Sequence, residues 1–306
     1  MKYLVGYTGF VGSNIFMSDE FEGLFNSKNI NEAFGGNPDL LIYSGVPAQK
    51  FIANSEPEKD LEVINNAIEN IKKINPKKIV LISTIDVYKN PVDVNEDTVI
   101  DTDNLHPYGL NRYKLELWVK ENFGDYLIVR LPGLYGKNIK KNFIYDLINI
   151  IPSMLSKDKF NELLSVNRVL SNYYFLADNG FYKLNQINEL EKEELKQVFL
   201  NLGFSALNFT DSRGKFQFYN LSYLWNHIKI ALENNIKVLN LATEPVIVSE
   251  LYEYIMGNNF KNELNKEVPN YDFKTNYYDM FGGENGYIFS KEFIMNDIKK
   301  FVKEKK

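Results

Sequence analysis

The chain has 306 residues, of which 44% are hydrophobic and 25% charged, as is typical of a folded globular protein. The net charge of -5 argues against a nucleic-acid-binding protein, and the absence of cysteine excludes disulfides, thiolate catalysis and cysteine-ligated metal. There are two histidines, so no histidine metal cluster is expected and we predict no metal site. The sequence has neither a signal-peptide pattern nor a run of about 18 apolar residues, so we expect a cytoplasmic protein that does not bind membranes.

Short apolar runs alternate with helical patterns in the first half of the chain. Strands are predicted at residues 3–6, 24–26, 39–43, 78–83 and 126–130, and helices at 10–19, from about 61 up to Pro76, and at 108–123. Continuous apolar runs such as 39–43 and 78–83 indicate strands that are buried on both faces. The alternation of strand and helix predicts an α/β fold of the Rossmann type, a doubly wound parallel sheet.

The pattern changes after about residue 152. Helices are predicted at 189–202, 221–234, 249–256 and 290–305, and strands at 216–219 and 238–241. We therefore predict a Rossmann domain over 1–152 that also receives part of 215–240. The remaining residues, 153–306, are predicted to form a smaller C-terminal α/β domain that binds substrate.

Three glycines, each separated by two residues, follow the first predicted strand. Gly6 permits a tight turn, Gly9 lets the backbone approach a pyrophosphate, and Gly12 lets the helix pack close to the strand. The start of the helix adds free N–H groups that favour phosphate. This strand–glycine–helix context predicts a bound nicotinamide dinucleotide, and the alternative is a turn of the same fold that no longer binds nucleotide.

The choice between the two nicotinamide cofactors depends on the residues after the second strand. An acidic residue about 20 positions beyond the glycine loop would hold the ribose 2′-hydroxyl of NAD. Residues 24–28 read Leu-Phe-Asn-Ser-Lys and contain no carboxylate. Lys28 could instead neutralise a 2′-phosphate, so the sequence favours NADP over NAD; the alternative for Lys28 is an ordinary exposed lysine.

Several segments resemble the extended short-chain dehydrogenase/reductases that act on nucleotide sugars (the NAD-dependent epimerase/dehydratase family). Thr84 stands three residues before a Val-Tyr pair, at the position of the family's catalytic hydroxyl. The family's Tyr-x-x-x-Lys helix corresponds to Tyr108 and Arg112, and the segment 130–136 is similar to the one that follows its next strand. The resemblance implies catalysis by Thr84, Tyr108 and Arg112.

The same resemblance implies where ligands would bind. The cofactor residues lie in the glycine loop and at the ends of the following strands: Gly6, Thr8, Gly9, Phe10, Val11, Gly12, Asn26, Lys28, Ser44, Gly45, Ser83, Leu131 and Pro132. Candidates for the sugar and diphosphate of the substrate are Asn138, Asn142, Arg213 and Lys215, because cations suit phosphates. The family often pairs through helices that include the tyrosine helix, so the resemblance also implies a homodimer.

Hydride transfer requires a group that gives or takes a proton. A free tyrosine has a pKa of about 10, and a cation four residues away on the same helix face stabilises its phenolate. Arg112 can supply that charge, but its planar guanidinium is bulkier than the lysine ammonium of the family. A threonine hydroxyl such as that of Thr84 can hydrogen-bond the reacting sugar oxygen.

Two further differences from the family restrict the reactions that we expect. Ile85 stands where the sugar dehydratases have an aspartic acid, so dehydration is not expected. Residues 6–12, 55–57 and 83–84 resemble dTDP-4-dehydrorhamnose reductases, but Gly133 replaces their aromatic residue.

The predicted function is therefore an NAD(P)-dependent nucleotide-sugar epimerase or 4-keto-reductase. Two alternatives remain open. One is a non-catalytic sensor or assembly subunit that binds the same ligands, which Arg112 suggests. The other is a reductase of a non-sugar carbonyl, because the fold does not determine the substrate.

Overall fold

The computed structural model describes residues 1–305, and the chain forms two compact units. Unit 1 comprises Met1–Ile139, Lys215–Val246 and Asn270–Asn296. Unit 2 comprises Lys140–Gly214, Ile247–Pro269 and the chain from Asp297. As in the predicted domains, part of 215–240 lies with the first unit, but residues 140–152 belong to unit 2 and residues 270–296 to unit 1. Segment 270–296 joins unit 1 through backbone bonds such as that from the Ile288 N–H to the Ala242 carbonyl at 2.8 Å.

The strands and helices follow one another along the whole chain. The strands are β1 (Lys2–Val5), β2 (Gly23–Phe25), β3 (Leu40–Tyr43), β4 (Lys78–Thr84), β5 (Tyr126–Leu131), β6 (Gly133–Tyr135), β7 (Met154–Leu155), β8 (Tyr174–Leu176), β9 (Tyr182–Leu184), β10 (Lys215–Phe216), β11 (Phe218–Asn220), β12 (Val238–Asn240) and β13 (Val246–Ile247). The helices are α1 (Phe10–Phe16), α2 (Lys50–Ser55), α3 (Pro57–Ile74), α4 (Pro107–Asn122), α5 (Phe143–Ile148), α6 (Lys157–Val166), α7 (Glu189–Asn201), α8 (Leu224–Glu233), α9 (Val248–Met256) and α10 (Lys291–Lys303). None of the helices in residues 1–305 combines the length and apolarity that crossing a membrane requires.

The main sheet of unit 1 has six parallel strands in the order β12-β5-β4-β3-β1-β2. Alternate residues of its strands point to opposite faces, as the period of two requires. On one face, Leu4 and Val80 pack with residues of α1 and α8, and on the other, Leu41 and Leu81 pack with residues of α3 and α4. Helices therefore cover both faces, and the predicted Rossmann sheet is confirmed.

One predicted strand of unit 1 is divided in the structure. The run at 216–219 forms β10 and β11, which are separated by Gln217. The buried amide of Gln217 donates to the carbonyl oxygens of Thr243 at 2.5 Å and Phe273 at 2.8 Å. The Gln217 side chain thus binds the backbone of other loops at the point where the predicted strand is divided. Sequence periodicity does not show such contacts.

Unit 2 is built around a small antiparallel sheet in the order β7-β9-β8. Its core contains Leu163, Leu195 and Phe199, and Phe160 stacks on Tyr182 with 3.7 Å between the ring centroids. For residues 153–211 the sequence predicts one helix, at 189–202, which the structure shows as α7. The strands of two or three residues and α6 are additions that only the structure reveals.

Candidate active site

The glycine loop joins β1 to α1 at the carboxyl end of β1. Gly6 has φ +90°, and a Cβ placed on it would lie 2.6 Å from the carbonyl oxygen of Ser44. A Cβ on Gly12 would lie 2.1 Å from the carbonyl oxygen of Gly6, closer than real Cβ atoms come to backbone. The Gly9 N–H donates to that same oxygen at 2.9 Å. Only glycine fits at positions 6 and 12, so no side chain covers the backbone of the loop there.

The start of α1 offers backbone donors beside this loop. Gly9 precedes the helix, and no side chain caps its first turn. Thr8 and Gly9 are exposed, whereas Phe10 and Val11 are half-buried. The first N–H groups of a helix lack intrahelical acceptors, and the helix dipole favours an anion there. The loop and the first turn together have the donor chemistry that a pyrophosphate needs.

The residues predicted to contact the adenosine end follow β2 and β3. The Asn26 side chain accepts from the Lys28 N–H at 2.8 Å, which forms a tight turn, and Lys28 is exposed with no ion-pair partner among residues 1–305. The Ser44 hydroxyl donates to the Val5 carbonyl at 2.8 Å, and Gly45 lies against Val5. These residues therefore border the same edge of the sheet as the glycine loop.

Ser83, Leu131 and Pro132 lie at the carboxyl ends of β4 and β5. Leu131 is opposite Thr84 in the parallel ladder, and Pro132 follows it half-buried. The Ser83 hydroxyl donates to Glu116 Oε1 at 2.6 Å inside the protein. Its side chain is thus engaged in the core, which leaves the backbone of Ser83 as the group available to a cofactor.

The three residues predicted to be catalytic come together at the carboxyl end of β4. Thr84 is the last residue of this strand, and its hydroxyl lies near enough to the Tyr108 hydroxyl to lower the pKa of Tyr108. Gly109 allows this approach, because a Cβ there would lie 2.1 Å from the Asp86 carbonyl oxygen, so α4 begins in contact with the turn after β4. Thr84, Tyr108 and Arg112 are all buried.

Arg112 lies beside the ring of Tyr108. Its Cζ is 4.0 Å from the ring centroid, Nη1 donates to Asp60 Oδ2 at 2.5 Å, and Nη2 donates to the Pro47 carbonyl at 2.7 Å. The sequence prediction missed Asp60, because its position in the first turn of α3 carries no signal beyond an ordinary acidic helix start.

The pKa of Tyr108 is raised above its ordinary value. Burial is the largest cause, and the charge of Asp86 acts in the same direction, while Arg112 and the nearby Thr84 hydroxyl lower the pKa. Tyr108 is consequently a neutral phenol at physiological pH. In that form it can donate a proton.

A second polar group lies next to Thr84. The Asp86 carboxylate accepts from Lys50 Nζ at 2.8 Å and from the Tyr271 hydroxyl at 3.1 Å. The backbone N–H of Asp86 donates to Thr84 Oγ1 at 3.2 Å. Phe216 stacks on Tyr271 with 5.7 Å between the ring centroids. Sequence reasoning did not single out Lys50 or Tyr271, since neither belongs to a motif.

The four predicted substrate residues are divided between the units. In unit 1, the Asn138 amide donates to Ser13 Oγ at 3.4 Å, and Lys215 pairs with Asp272 at 2.6 Å. In unit 2, Asn142 caps α5 by accepting from two backbone N–H groups at 3.0 and 3.2 Å, and Arg213 pairs with Asp211 at 2.8 Å. The structure gives each of these side chains an intramolecular partner, and their role toward a substrate stays a prediction.

No protein-family model matches the sequence, and a search of curated proteins gives no match. Solved structures of the same fold are found at low sequence identity. The UDP-glucose 4-epimerase of Thermotoga maritima, solved with UDP-glucose, is 14% identical with a TM-score of 0.62, and the alignment covers 100% of both chains. The dTDP-4-dehydrorhamnose reductase of Bacillus anthracis, solved with NADP, is 16% identical with a TM-score of 0.64, over 99% of this chain and 97% of that one.

A third similar structure is a mutant UDP-glucuronic acid 4-epimerase of Bacillus cereus, solved with NAD and a fluorinated UDP-sugar. It is 17% identical with a TM-score of 0.57, and the alignment covers 99% of each chain. The match of both full lengths shows that the whole chain, including unit 2, has the fold of these nucleotide-sugar enzymes.

Proposed function

We propose that the protein is an NAD(P)-dependent nucleotide-sugar epimerase or 4-keto-reductase. The observation that carries this proposal is the buried cluster of Thr84, Tyr108 and Arg112 at the carboxyl end of β4. Ligands of open α/β sheets bind beyond the carboxyl ends of the strands, where the glycine loop after β1 also lies. The similar structures, solved with NADP, NAD and UDP-sugars, support this choice of ligands.

The glycine loop fits a dinucleotide, because Gly6 and Gly12 let the loop pack tightly against its own backbone and the exposed Gly9 has no side chain to block a ligand. Gly9 and the first turn of α1 would bind the pyrophosphate, and Ser44 and Gly45 would border the adenosine ribose. Lys28 would neutralise the 2′-phosphate of NADP. When bound, the nicotinamide supplies or accepts the hydride.

The remaining chemistry belongs to Thr84 and Tyr108. Thr84 would orient the reacting sugar oxygen by a hydrogen bond, and Tyr108 would donate its hydroxyl proton to that oxygen as the carbonyl is reduced. A neutral Tyr108 is the form required for the reduction step, which a 4-keto-reductase and an epimerase share. Asn138, Asn142, Arg213 and Lys215 stay the proposed contacts to the sugar and diphosphate.

A second function is favoured by one observation. Arg112 is paired with Asp60 and lies on the ring face of Tyr108, which differs from a cation placed at the hydroxyl. A protein that binds cofactor and nucleotide sugar without turnover, as a sensor or assembly subunit, would tolerate this arrangement. The two functions make opposite predictions for Tyr108→Phe.

The test combines cofactor binding with turnover. Calorimetry should detect binding of NADPH, and Gly12→Ala should abolish it through the backbone clash. Gly124→Ala is the matched control, because nothing lies within 4 Å of a Cβ there. Absence of binding by either NADPH or NADH at millimolar concentration would refute the cofactor assignment, and tighter binding of NADH would refute the role of Lys28.

Turnover is then measured against a panel of UDP- and dTDP-linked 4-keto sugars and hexoses. Tyr108→Phe should lower kcat about 100-fold or more with cofactor affinity unchanged, since general acid catalysis contributes about that much. Tyr113→Phe, on the same helix, should leave kcat unchanged. If no member of the panel reacts although NADPH binds, the sensor is favoured. No 4-keto-6-deoxy product should form, because Ile85 is a buried apolar residue.

A further inference from the structure

We propose that Asp60 is a positioning residue of this site, which fixes the Arg112 guanidinium on the ring face of Tyr108 and offsets its charge so that Tyr108 serves as a proton donor. The consequence for catalysis rests on the function proposed above. The arrangement of Asp60, Arg112 and Tyr108 is a property of the chain itself.

The contacts hold the guanidinium from several sides. Asp60 Oδ2 accepts from Arg112 Nη1 at 2.5 Å and from the Asn111 amide at 2.9 Å. Arg112 also donates to the carbonyl oxygens of Pro47 at 2.7 Å and Tyr108 at 3.3 Å. The side chains of Arg112 and Asp60 are only 6% and 10% exposed. Little freedom remains for the guanidinium to move toward another group.

The need for Asp60 follows from the chemistry of arginine. The guanidinium stays charged in proteins, and a buried unpaired charge costs several kcal/mol. Asp60 supplies the compensating charge, and the resulting pair presents a dipole to Tyr108 where an unpaired cation would present a full positive charge. The pair therefore stabilises a phenolate less than a free cation at this position would.

Several other charged or titratable groups face Tyr108. Asp86 follows β4 and is joined to Lys50 and Tyr271, while the Thr84 hydroxyl lies near that of Tyr108. The His106 ring lies 6.3 Å from the Tyr108 ring. None of these groups contacts Arg112 in residues 1–305 by a hydrogen bond or ion pair. The orientation of the guanidinium is thus determined by Asp60, Asn111 and the backbone.

The test uses Asp60→Asn, which keeps the shape and removes the charge. The protein is labelled with carbon-13 in its tyrosine rings, and Tyr108→Phe assigns the Tyr108 resonance. We expect the Tyr108 phenol to ionise at lower pH in Asp60→Asn than in the wild type, because Arg112 is no longer offset. Glu58→Gln removes an exposed charge from the same first turn of α3 and should leave the titration unchanged. Asp60→Glu restores the charge, so the pH at which Tyr108 ionises should return toward the wild-type value.

The NMR titration needs no substrate, so it separates this inference from the proposed function. An unchanged Tyr108 titration in a folded Asp60→Asn protein would overturn the inference, whether or not turnover is found. If the variant does not fold, slow rotation of the Arg112 guanidinium in the wild type is measured by NMR instead. Slow rotation supports the anchoring by Asp60, and free rotation overturns it.

Where turnover is found, the acidic group in the pH profile of kcat should move in the same direction as the NMR titration. We expect kcat of Asp60→Asn to fall about tenfold one pH unit above the lowered pKa of Tyr108, because about nine-tenths of the phenol is ionised there and cannot donate a proton. A structural defect alone would lower kcat at every pH and leave the position of the profile unchanged.

Discussion

Glu116 in unit 1 is a buried carboxylate and Asp146 in unit 2 is a half-buried one, and of the two only Glu116 has a charged partner. Glu116 is 0% exposed, and it accepts from Arg130 Nη2 at 2.6 Å and from Ser83 Oγ at 2.6 Å. Asp146 lies on α5, and within residues 1–305 no side-chain donor contacts its carboxylate. Burial alone raises the pKa of Asp146 to about 7.

Glu116 has a structural role that Asp146 lacks. Arg130 joins Glu116 on α4 to β5, and it also donates to the Tyr88 hydroxyl at 2.7 Å. Ser83, the neighbour of Thr84, joins the same carboxylate to β4. Glu116 lies two turns after Tyr108 on one face of α4, so this network fixes the register between the helix and the strand of the proposed site. The Asp146 carboxylate has no such role, and it remains free to titrate near neutral pH.

The largest effect is expected from Glu116→Ala, which leaves Arg130 buried without a counter-ion. Breaking a buried ion pair by removing one partner costs about 3–5 kcal/mol. The free energy of unfolding of unit 1, measured by denaturant titration, should fall by that amount. Glu121→Ala changes an exposed residue of the same helix and should cost less than about 0.5 kcal/mol. Equal effects of the two substitutions would contradict the role of the network.

The second prediction concerns the pH dependence of Asp146. The pKa of Asp146 in the folded state, about 7, lies above the ordinary aspartate value of 3.8. The stability that the protonated Asp146 contributes is therefore fully present below about pH 4 and is lost as the pH rises through 7. Between pH 4 and 8 the wild type should therefore lose about 2–4 kcal/mol of stability relative to Asp146→Asn.

Thermal unfolding of both proteins at the two pH values measures this difference, in which any constant effect of asparagine cancels. Asp158→Asn, at an exposed position of unit 2, is the control for the substitution itself. A wild-type minus Asp146→Asn difference that is the same at pH 4 and pH 8 would refute the assignment of an uncompensated carboxylate.

The smallest effect is expected from Ser83→Ala. It removes one hydrogen bond to Glu116 and leaves the pair with Arg130 intact, so we expect a loss of about 1–2 kcal/mol. Denaturant titration measures the loss, with the exposed Ser27→Ala as control. A loss as large as that of Glu116→Ala would mean that Ser83, and not the ion pair, holds α4 to the sheet.

The fold was predicted best where the signal is local. The strands β3, β4 and β5 are continuous apolar runs, and their bounds differ from the predicted ones by about one residue. The short strands of unit 2 have too few residues to show a period, and so they were missed. The place of residues 270–296 in unit 1 was not predicted, because it depends on contacts between distant residues, such as the bond from the Ile288 N–H to the Ala242 carbonyl.

The sequence by itself determined the glycine loop, and its resemblance to a known family implied that Thr84 and Tyr108 lie together. Both depend on short spacings: three glycines at a strand end, and residues that begin and end neighbouring elements. Only the tertiary structure decided what surrounds them. Arg112 meets Asp60 across 52 residues, Tyr271 meets Asp86 across 185, and Ser83 meets Glu116 across 33. The packing of helices on the sheet brings these partners together, so no local sequence pattern predicts them.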